Sequence, residues 1–529
     1  MTASDDKIPK SHQAFYFEPR FSTWKQEALA NREKLLKQGF WGLTPQGVRS
    51  ALKLPIDRPL VMSGHQPVFF HPGLWAKCLA ASTLADSLQG VAVHKVTDTD
   101  LVPENPSYIP EVEENGKARR KALEFFTAKD TQKLEKITPC AFLPPPDFAA
   151  LQKIFANAKV FSPKSVQQAM KGYEEKLTKG LKANPTWNGF HLHTLKLLDE
   201  MSGTKRTYLT ASKLWNSEPF LTFLTAWLTN LPSLNENYNQ ALNEYRQKHN
   251  IQHELTPMPN LKFEDWWFEI PFWGVNKYQQ RHSLWAKNDG KHLVLKIKGG
   301  EGTFSISWDE FKQELSTLPI TIWPKALPQT LFCRLYLCDY FVHGVGGGNY
   351  EEVNDLFFEK VFKSKPPAFG TATATYWVEW DQVSKIEDIV HFGSKIEWWQ
   401  RALEKNPEYL FTKQEVWKKE LPPFIQKSLK PILERPELQA LALEKGKWVE
   451  SLANPAQKVQ AVKKIEEINK ALYDQYHDAI FALEQGLMDV DRLRQADQVL
   501  TFREYPFFCF PPATFAEMKE KTGHYLRST

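Results

Sequence analysis

No run of about 18 consecutive apolar residues occurs in the chain, so the sequence holds no candidate for a membrane-spanning helix. Cysteine is scarce: Cys78, Cys140, Cys333, Cys338 and Cys509 are odd in number and scattered. That usage argues against a disulfide framework and points to a reducing compartment. Cys333 and Cys338 are too far apart for a CxxC pair, and no His/Cys cluster has the spacing of a zinc site. An excess of one charge is also lacking. The net charge is +5, from 67 basic and 62 acidic residues, and the densest basic run is KARRK at 117–121. A nucleic-acid-binding surface concentrates its basic residues far more, so nucleic acid is not an expected partner. The first residues, MTASDDKIPKSHQ, lack the basic-then-apolar pattern of a signal peptide, and a cytoplasmic location without membrane attachment is expected. The chain shows no internal repeats and no low-complexity segment.

Aromatic residues are abundant, with 18 Trp, 16 Tyr and 35 Phe. In a chain of 529 residues they are expected to fill a large core, and the pairs Trp266-Trp267 and Trp398-Trp399 are alternatives for lining a pocket. Residues 20–39 read as a helical arm. The short apolar run 58–62 reads as a buried strand, 74–88 as a helix ending at Gly90, and VAVHKVTDTD (91–100) as a second strand. Strand, turn, helix and strand within about forty residues make a βαβ unit and imply a parallel sheet.

From about 120 to 255 helices are expected, broken by proline loops such as LPPPD (143–147). Residues 262–300 turn to β, with Asn288-Asp289-Gly290 offering a hairpin turn. TLFCRLYLCDYFVHG (330–344) reads as an apolar helix, followed by a glycine-rich turn into another helix, and TATATYWVEW (371–380) as a further strand. Beyond about 390 the pattern is helical up to about 500. Val462, Ile465, Leu472, Ala479 and Leu483 recur as a narrow stripe, suited to an antiparallel helical hairpin or coiled coil. LTFREYPFFCFPP (500–512) is expected to return to the core. The domain reading is a helical arm at 1–50, an α/β core at 51–390 with a helical insertion at about 120–255, a helical region at 391–500, and a terminal segment at 501–529.

Three stretches carry candidate chemistry. The first is SGHQPVFFHPG, from Ser63 and Gly64 through His65, Gln66 and His71 to Gly73. A glycine at the end of a parallel strand, directly before a helix, lets a phosphate or carboxylate approach backbone amides and the helix N-terminus. The two histidines can donate hydrogen bonds or protons; the bland alternative is a proline-shaped turn. The second is Thr97-Asp98-Thr99-Asp100. At the end of the second strand, Asp98 and Asp100 are expected to point to the same strand face and reach the same crevice as the histidine loop, where they suit an amine, a water-bridged Mg²⁺ or a general base. They also have the DxD form of nucleotide-sugar glycosyltransferases, while capping and turn roles are equally open. The third is His343 to Tyr350, HGVGGGNY, with Gly346, Gly347, Gly348 and Asn349. It lacks the GK[ST] ending of a P-loop, yet its glycines are costly unless something approaches the backbone closely. Read as helical, Asp339 and His343 share a face, with Arg334 further round.

SGHQPVFFHPGLWAKCLAAS followed by a valine-rich strand ending in TDTD resembles the N-terminal part of the bacillithiol synthase family, the cysteine-adding enzymes of that pathway. That family has a strand, a Gly-Gln-Gln loop with a later Gly-Pro, a helix carrying a lysine, and a strand ending in Glu-Asp-His-Asp. Gln66 matches the second Gln, Pro72-Gly73 the later turn, Lys77 the helix lysine, and Asp98 and Asp100 the acidic cluster. His65 stands where the family has Gln, and Thr99 where it has His. GHQPVFFHPG, VTDTD and DYFVHGVGGGNYEEVND resemble more a set of uncharacterised bacterial proteins distantly related to that enzyme. The resemblance implies an α/β fold with a Rossmann-like parallel-sheet core, helical insertions and a C-terminal hairpin or coiled coil that forms a homodimer.

It also implies a carbon–nitrogen ligase that joins a cysteine-like amino acid or similar carboxylate to an amine acceptor, with ATP or another nucleotide as activator and Mg²⁺ as a candidate cofactor. No residue is assigned as a direct metal ligand. The expected catalytic residues are His65, His71, Asp98, Asp100 and His343. Ser63, Gly64, Gln66, Lys77, Arg334, Gly346, Gly347, Gly348, Asn349 and Tyr350 are expected to bind substrate or nucleotide. A metal-dependent glycosyltransferase and a non-catalytic dimeric scaffold are the alternatives.

Overall fold

The computed structural model describes residues 7–101, 107–112, 118–125, 137–253, 255, 258–298, 302–378, 386–421, 423–476, 481, 483–488, 498–499 and 501–528. Its first strands are β1 (Ala14–Glu18), β2 (Leu60–His65), β3 (Val91–Val96), β4 (Tyr108–Val112), β5 (Ala118–Ala122) and β6 (Thr207–Thr210). Then come β7 (Phe263–Glu264), β8 (Trp267–Val275), β9 (Arg281–Asn288), β10 (His292–Ile297) and β11 (Thr303–Ser307). The last are β12 (Thr321–Pro324), β13 (Tyr340–His343) and β14 (Phe369–Thr375).

The main sheet runs β1-β14-β13-β2-β3-β6. All its neighbours are parallel except β1, which closes the β14 edge antiparallel. The chain begins its parallel strands at β2, moves outward through β3 to β6, and then returns to place β13 on the other side of β2. Direction therefore reverses between β2 and β13. Helices cover both faces, so the strands have no solvent face and their residues sort by alternation alone. Leu60, Met62, Val93 and Phe341 enter the core on one side with Trp215, Phe220 and Phe332. Val61, Ala92, Tyr340 and Val342 enter the core on the other, against Trp24, Ala80, Ala81 and Leu84. Alanines at 80, 81 and 85 let the helix Pro72–Ser87 lie close to the sheet.

A second sheet, β11-β10-β9-β8-β12 with β7 beside β8, is wholly antiparallel. Its inner residues Ile270, Phe272, Leu284 and Leu295 belong to the same core as Trp215 and Phe220. The turn from β9 to β10 falls at the predicted Asn-Asp-Gly, with Gly290 at φ 92°. The helices beyond Ile386 build a core of their own around Trp399, Trp417, Ile425 and Leu472. Residues 505–510 return to the main core as expected: Tyr505, Phe507, Phe508 and Phe510 are buried, and the Phe507 N–H donates to the Phe70 carbonyl at 2.7 Å. The five cysteines are free and buried. Among the described residues, no helix is long and apolar enough to cross a membrane.

Several expectations are corrected. Residues 330–344 are not one helix. The helix Ala326–Phe332 tightens into a π-helical turn at Cys333–Leu337, and β13 follows. An apolar run buried on all sides has no period to tell strand from helix. The glycine segment therefore follows a strand and opens the helix Val345–Phe362, while Asp339 and His343 lie at opposite ends of β13 and share no helix face. The strand at 91 stops at Val96, so Asp98 and Asp100 lie in a turn. The stretch 120–255 contains β6, a core strand only four residues long. The helix starting at Lys458 ends at Asp474 and packs against Pro436–Ser451; Val462 is exposed, and Ala461, Ile468 and Leu472 face inward. Lys117, Glu379, Trp380 and Ala479 lie outside the described residues.

At the amino ends of the central strands one carboxylate joins four elements. Asp339, fully buried, accepts from Arg49 Nη2 at 2.9 Å, from Arg32 Nη1 at 3.1 Å and from the Leu60 N–H at 2.7 Å. Its own N–H donates to the Leu60 carbonyl at 2.7 Å. Asn31 donates to the Asp339 carbonyl at 2.9 Å and to that of Ala368 at 2.8 Å, tying β13 to β14. Asp339→Ala leaves the buried Arg49 without a counter-ion, a change that costs about 3–5 kcal/mol. Urea unfolding should show that loss, and a midpoint equal to wild type would remove Asp339 from this role.

Candidate functional site

β2 and β13 are adjacent and parallel, with Met62 beside Phe341, and both end in histidine: His65 and His343. Between their carboxyl ends opens a cavity of about 430 Å³. Crevices at the carboxyl edge of such a sheet, where strand order reverses, are where open α/β proteins bind ligands. Two helices start at the rim. His71 caps the helix Pro72–Ser87: its Nδ1 accepts from the Gly73 N–H at 3.1 Å, which leaves the imidazole proton on Nε2. The helix Val345–Phe362 starts after Gly344 with no side-chain cap.

The cavity brings together Gly64, His65, Gln66, His71, Lys77, Asp100, His343, Gly346, Gly347 and Tyr350, which lie far apart in the chain. His65 Nδ1 is 3.0 Å from the Gln66 carbonyl, so this tautomer donates there. Lys77 Nζ donates to the Gly64 carbonyl at 2.8 Å. His343 is stacked on Phe341 at 4.3 Å and stands 3.4 Å from Glu351 through Nε2. Asp100 is paired with Arg281 at 2.8 Å.

The other expected residues are not on the lining. Ser63 lies beneath it, fully buried, with its hydroxyl 2.9 Å from His94 Nδ1. Asp98 is turned away and buried, accepting from the Ser212 N–H at 2.8 Å and from Asn188 at 2.7 Å. Asp98 and Asp100 therefore address different partners and do not form one crevice-facing pair. Arg334 is a buried support: it pairs with Glu351 and with Asp355 at 2.7 Å. Gly348 packs against Thr371, whose Oγ1 would lie 2.4 Å from an added Cβ; Asn349 does not reach the cavity.

Residues that sequence reasoning missed also line it, notably Lys95, Gln329, Glu351, Thr373 and Arg503. Lys95 had a signal: a lysine inside VAVHKV, in a strand covered on both faces, must end in a pocket or find a partner. Arg503 had none, because it arrives from the far end of the chain and donates to Thr373 Oγ1 at 2.5 Å and the Ala374 carbonyl at 2.9 Å. Gly73 admits it, since an added Cβ there would stand 2.1 Å from its Nη2.

Burial sets the charge states. It holds His65 well below the usual imidazole value, with the Lys77 ammonium adding to the effect. It does the same to His71, where Arg503 contributes, and lowers His343 to about 3 against the pull of Glu351. Burial would raise Glu351, but His343 and Arg334 hold it below the ordinary value. Lys77 is pushed down by burial to about 8, and Lys95 is lowered for the same reason. The site thus sets imidazoles that resist protonation beside two lysines whose charge burial disfavours.

Behind the cavity His94 and His191 are buried too, His94 held well below its usual value and His191 at about 3. All five histidines titrate lower in the folded chain than the unfolded value of about 6.5. As pH falls from there towards 3, the unfolded chain takes up protons that the folded one refuses, so stability is lost through that window. Urea midpoints measured from pH 7.5 downwards should fall steeply below pH 6.5. His94→Gln should flatten the slope by about one proton; an unchanged slope would show that His94 is charged when folded.

No protein-family model matches the chain, and no curated protein matches it.

Proposed function

We propose that the chain is a group-transfer enzyme of the carbon–nitrogen ligase type, with a Rossmann-like core, joining a carboxylate-bearing substrate such as a cysteine-like amino acid to an amine acceptor. The observation that carries this reading is the convergence of His65, His71 and His343 with Lys77 and Lys95 on one cavity at the strand-order reversal. The lysines and the helix start at Val345 suit an anionic group, and neutral imidazoles suit removal of the proton that an attacking amine sheds as the C–N bond forms. Condensing a free carboxylate with an amine needs an activating phosphoryl or nucleotidyl donor, and a nucleotide is the expected supplier. The alternative of DxD-dependent glycosyl transfer is less favoured, because Asp98 is engaged by Ser212 and Asn188 away from the cavity. The hairpin of Pro436–Ser451 and Lys458–Asp474 exposes Leu443, Val459 and Val462, which suits self-association into a homodimer.

The test is a mass-spectrometric screen of amino acids against amines and amino sugars, with ATP, for a product heavier by one condensation. His65→Ala should lower turnover by about 10²–10⁴-fold while melting like wild type. Absence of any condensation product and of ATP consumption across the screen would overturn the ligase reading. A fully active His65→Ala would remove that residue from the chemistry.

A further inference from the structure

We propose that the cavity holds a phosphate group, gripped by the ammonium groups of Lys77 and Lys95 and by the free N–H groups of Val345, Gly346 and Gly347. This deepens the group-transfer reading, on which it rests, by naming the anion.

The charges around the cavity are unevenly paired. The charged groups lining the cavity are Lys77, Lys95, Arg503, Asp100, Glu351 and Glu504. Asp100 is neutralised by Arg281 and Glu351 by Arg334, while Glu504 follows Arg503 in the chain. Lys77 and Lys95 are left over. They are 3% and 2% exposed. Lys77 has a single backbone acceptor, the Gly64 carbonyl. Lys95 has no hydrogen bond or ion pair among the described residues, only the Trp215 ring 5.5 Å from its Nζ. Buried ammonium groups without a carboxylate partner are costly, and an anion bound between the two lysines supplies the partner that the chain withholds.

The helix start at Val345 adds unpaired donors. Its first internal bond is Gly348 N–H to the Gly344 carbonyl at 3.0 Å, so the three preceding N–H groups have no partner within the helix. A Cβ built on Gly344 would lie 4.0 Å from Lys77 Nζ, which puts an ammonium beside the positive end of the helix dipole. The two repel unless an anion lies between them. Three sets of donors from three elements also match an acceptor with oxygens on several sides better than a planar carboxylate.

Gly346 differs from the two glycines that follow it. Gly347 is forced by His343, whose Nδ1 would be 2.9 Å from an added Cβ, and Gly348 by Thr371. At Gly346 an added Cβ would meet nothing within 4 Å. Packing does not ask for glycine there, and alanine would favour the helix. Space kept open for a ligand does ask for it.

The experiment is calorimetric and thermal-shift titration of the full chain with inorganic phosphate, pyrophosphate and acetate, without turnover. Adenosine 5′-phosphate and a hexose phosphate are further arms that separate nucleotide from sugar as the carrier. Phosphate and pyrophosphate should raise Tm, and acetate at the same concentration should not. Lys95→Met should melt at or above wild type in phosphate-free buffer, because it removes an unpaired buried charge, yet bind phosphate roughly tenfold or more weakly. A structural lysine would give the opposite first result. Gly346→Ala should bind more weakly with Tm retained. No Tm shift at about 10 mM phosphate or pyrophosphate, an equal shift with acetate, or wild-type affinity in Lys95→Met would overturn the proposal. Phosphate binding with no condensation product sinks the ligase reading alone; condensation without phosphate binding sinks this one alone.

Discussion

The buried Asp339 carboxylate is the constraint on which the geometry of the sheet depends. Two arginines and a strand N–H converge on it, and each comes from a different stretch: Arg32 and Arg49 from the N-terminal helices, Leu60 from β2. Because β13 begins at the next residue, fixing Asp339 fixes the register in which Tyr340 meets Val61 and Val342 meets Ser63. A slip of one residue would exchange Val342 and Phe341 between two different cores, so the ion network and the alternation of side chains enforce the same register. That register brings His343, the residue after Val342, and His65 together at the other end of the strands, roughly 13–17 Å along.

The two ends of the sheet are treated oppositely. At the amino end every buried charge has its partner, with Arg49 wholly buried yet paired to Asp339. At the carboxyl end partners are provided for the carboxylates and withheld from Lys77 and Lys95. Glu351 illustrates the selectivity. It lines the cavity, but Arg334, itself held by Asp355 and the Pro367 carbonyl, keeps its charge occupied. A cavity lined by paired carboxylates and unpaired ammoniums is biased towards anions without being strongly positive overall, which fits a chain whose net charge is only +5.

How much of this the sequence shows follows from how local each signal is. The loop from Ser63 to Gly73 and the helix after it are legible because strand end, glycine, proline and helical period succeed one another within a few residues, and the structure places that loop on the cavity rim. β13 is not legible: Tyr340 to Val342 closely follows the apolar helical residues Leu335 to Leu337, and burial on both faces erases the alternation that marks a strand. The same misreading hid the βα character of His343-Gly344 and made the glycines look like a turn between helices. Asp98 and Asp100 look alike in sequence, but the chain turns after Val96 and sends them to Ser212 and Arg281. β6 has only four residues, and its place is set by pairing with β3, a partner more than a hundred residues earlier.

Arg503 is the most distant contribution, and its position has a structural consequence. The segment that carries it is fastened on both sides, by the Tyr505 hydroxyl on the Val499 carbonyl and by the Phe507 N–H on the Phe70 carbonyl. Phe70 belongs to the loop between His65 and His71, and the two aromatic rings of His65 and Phe70 meet edge to face at 5.5 Å. Residues 503–507 thus touch the cavity at Thr373 and also brace the loop that forms its rim. This segment lies between the C-terminal helices with their separate core and the helix Pro512–Arg527, which packs on Pro72–Ser87. The rim loop is thereby held by contacts from the far end of the chain, while the strands that carry the histidines are secured at their amino ends by Asp339.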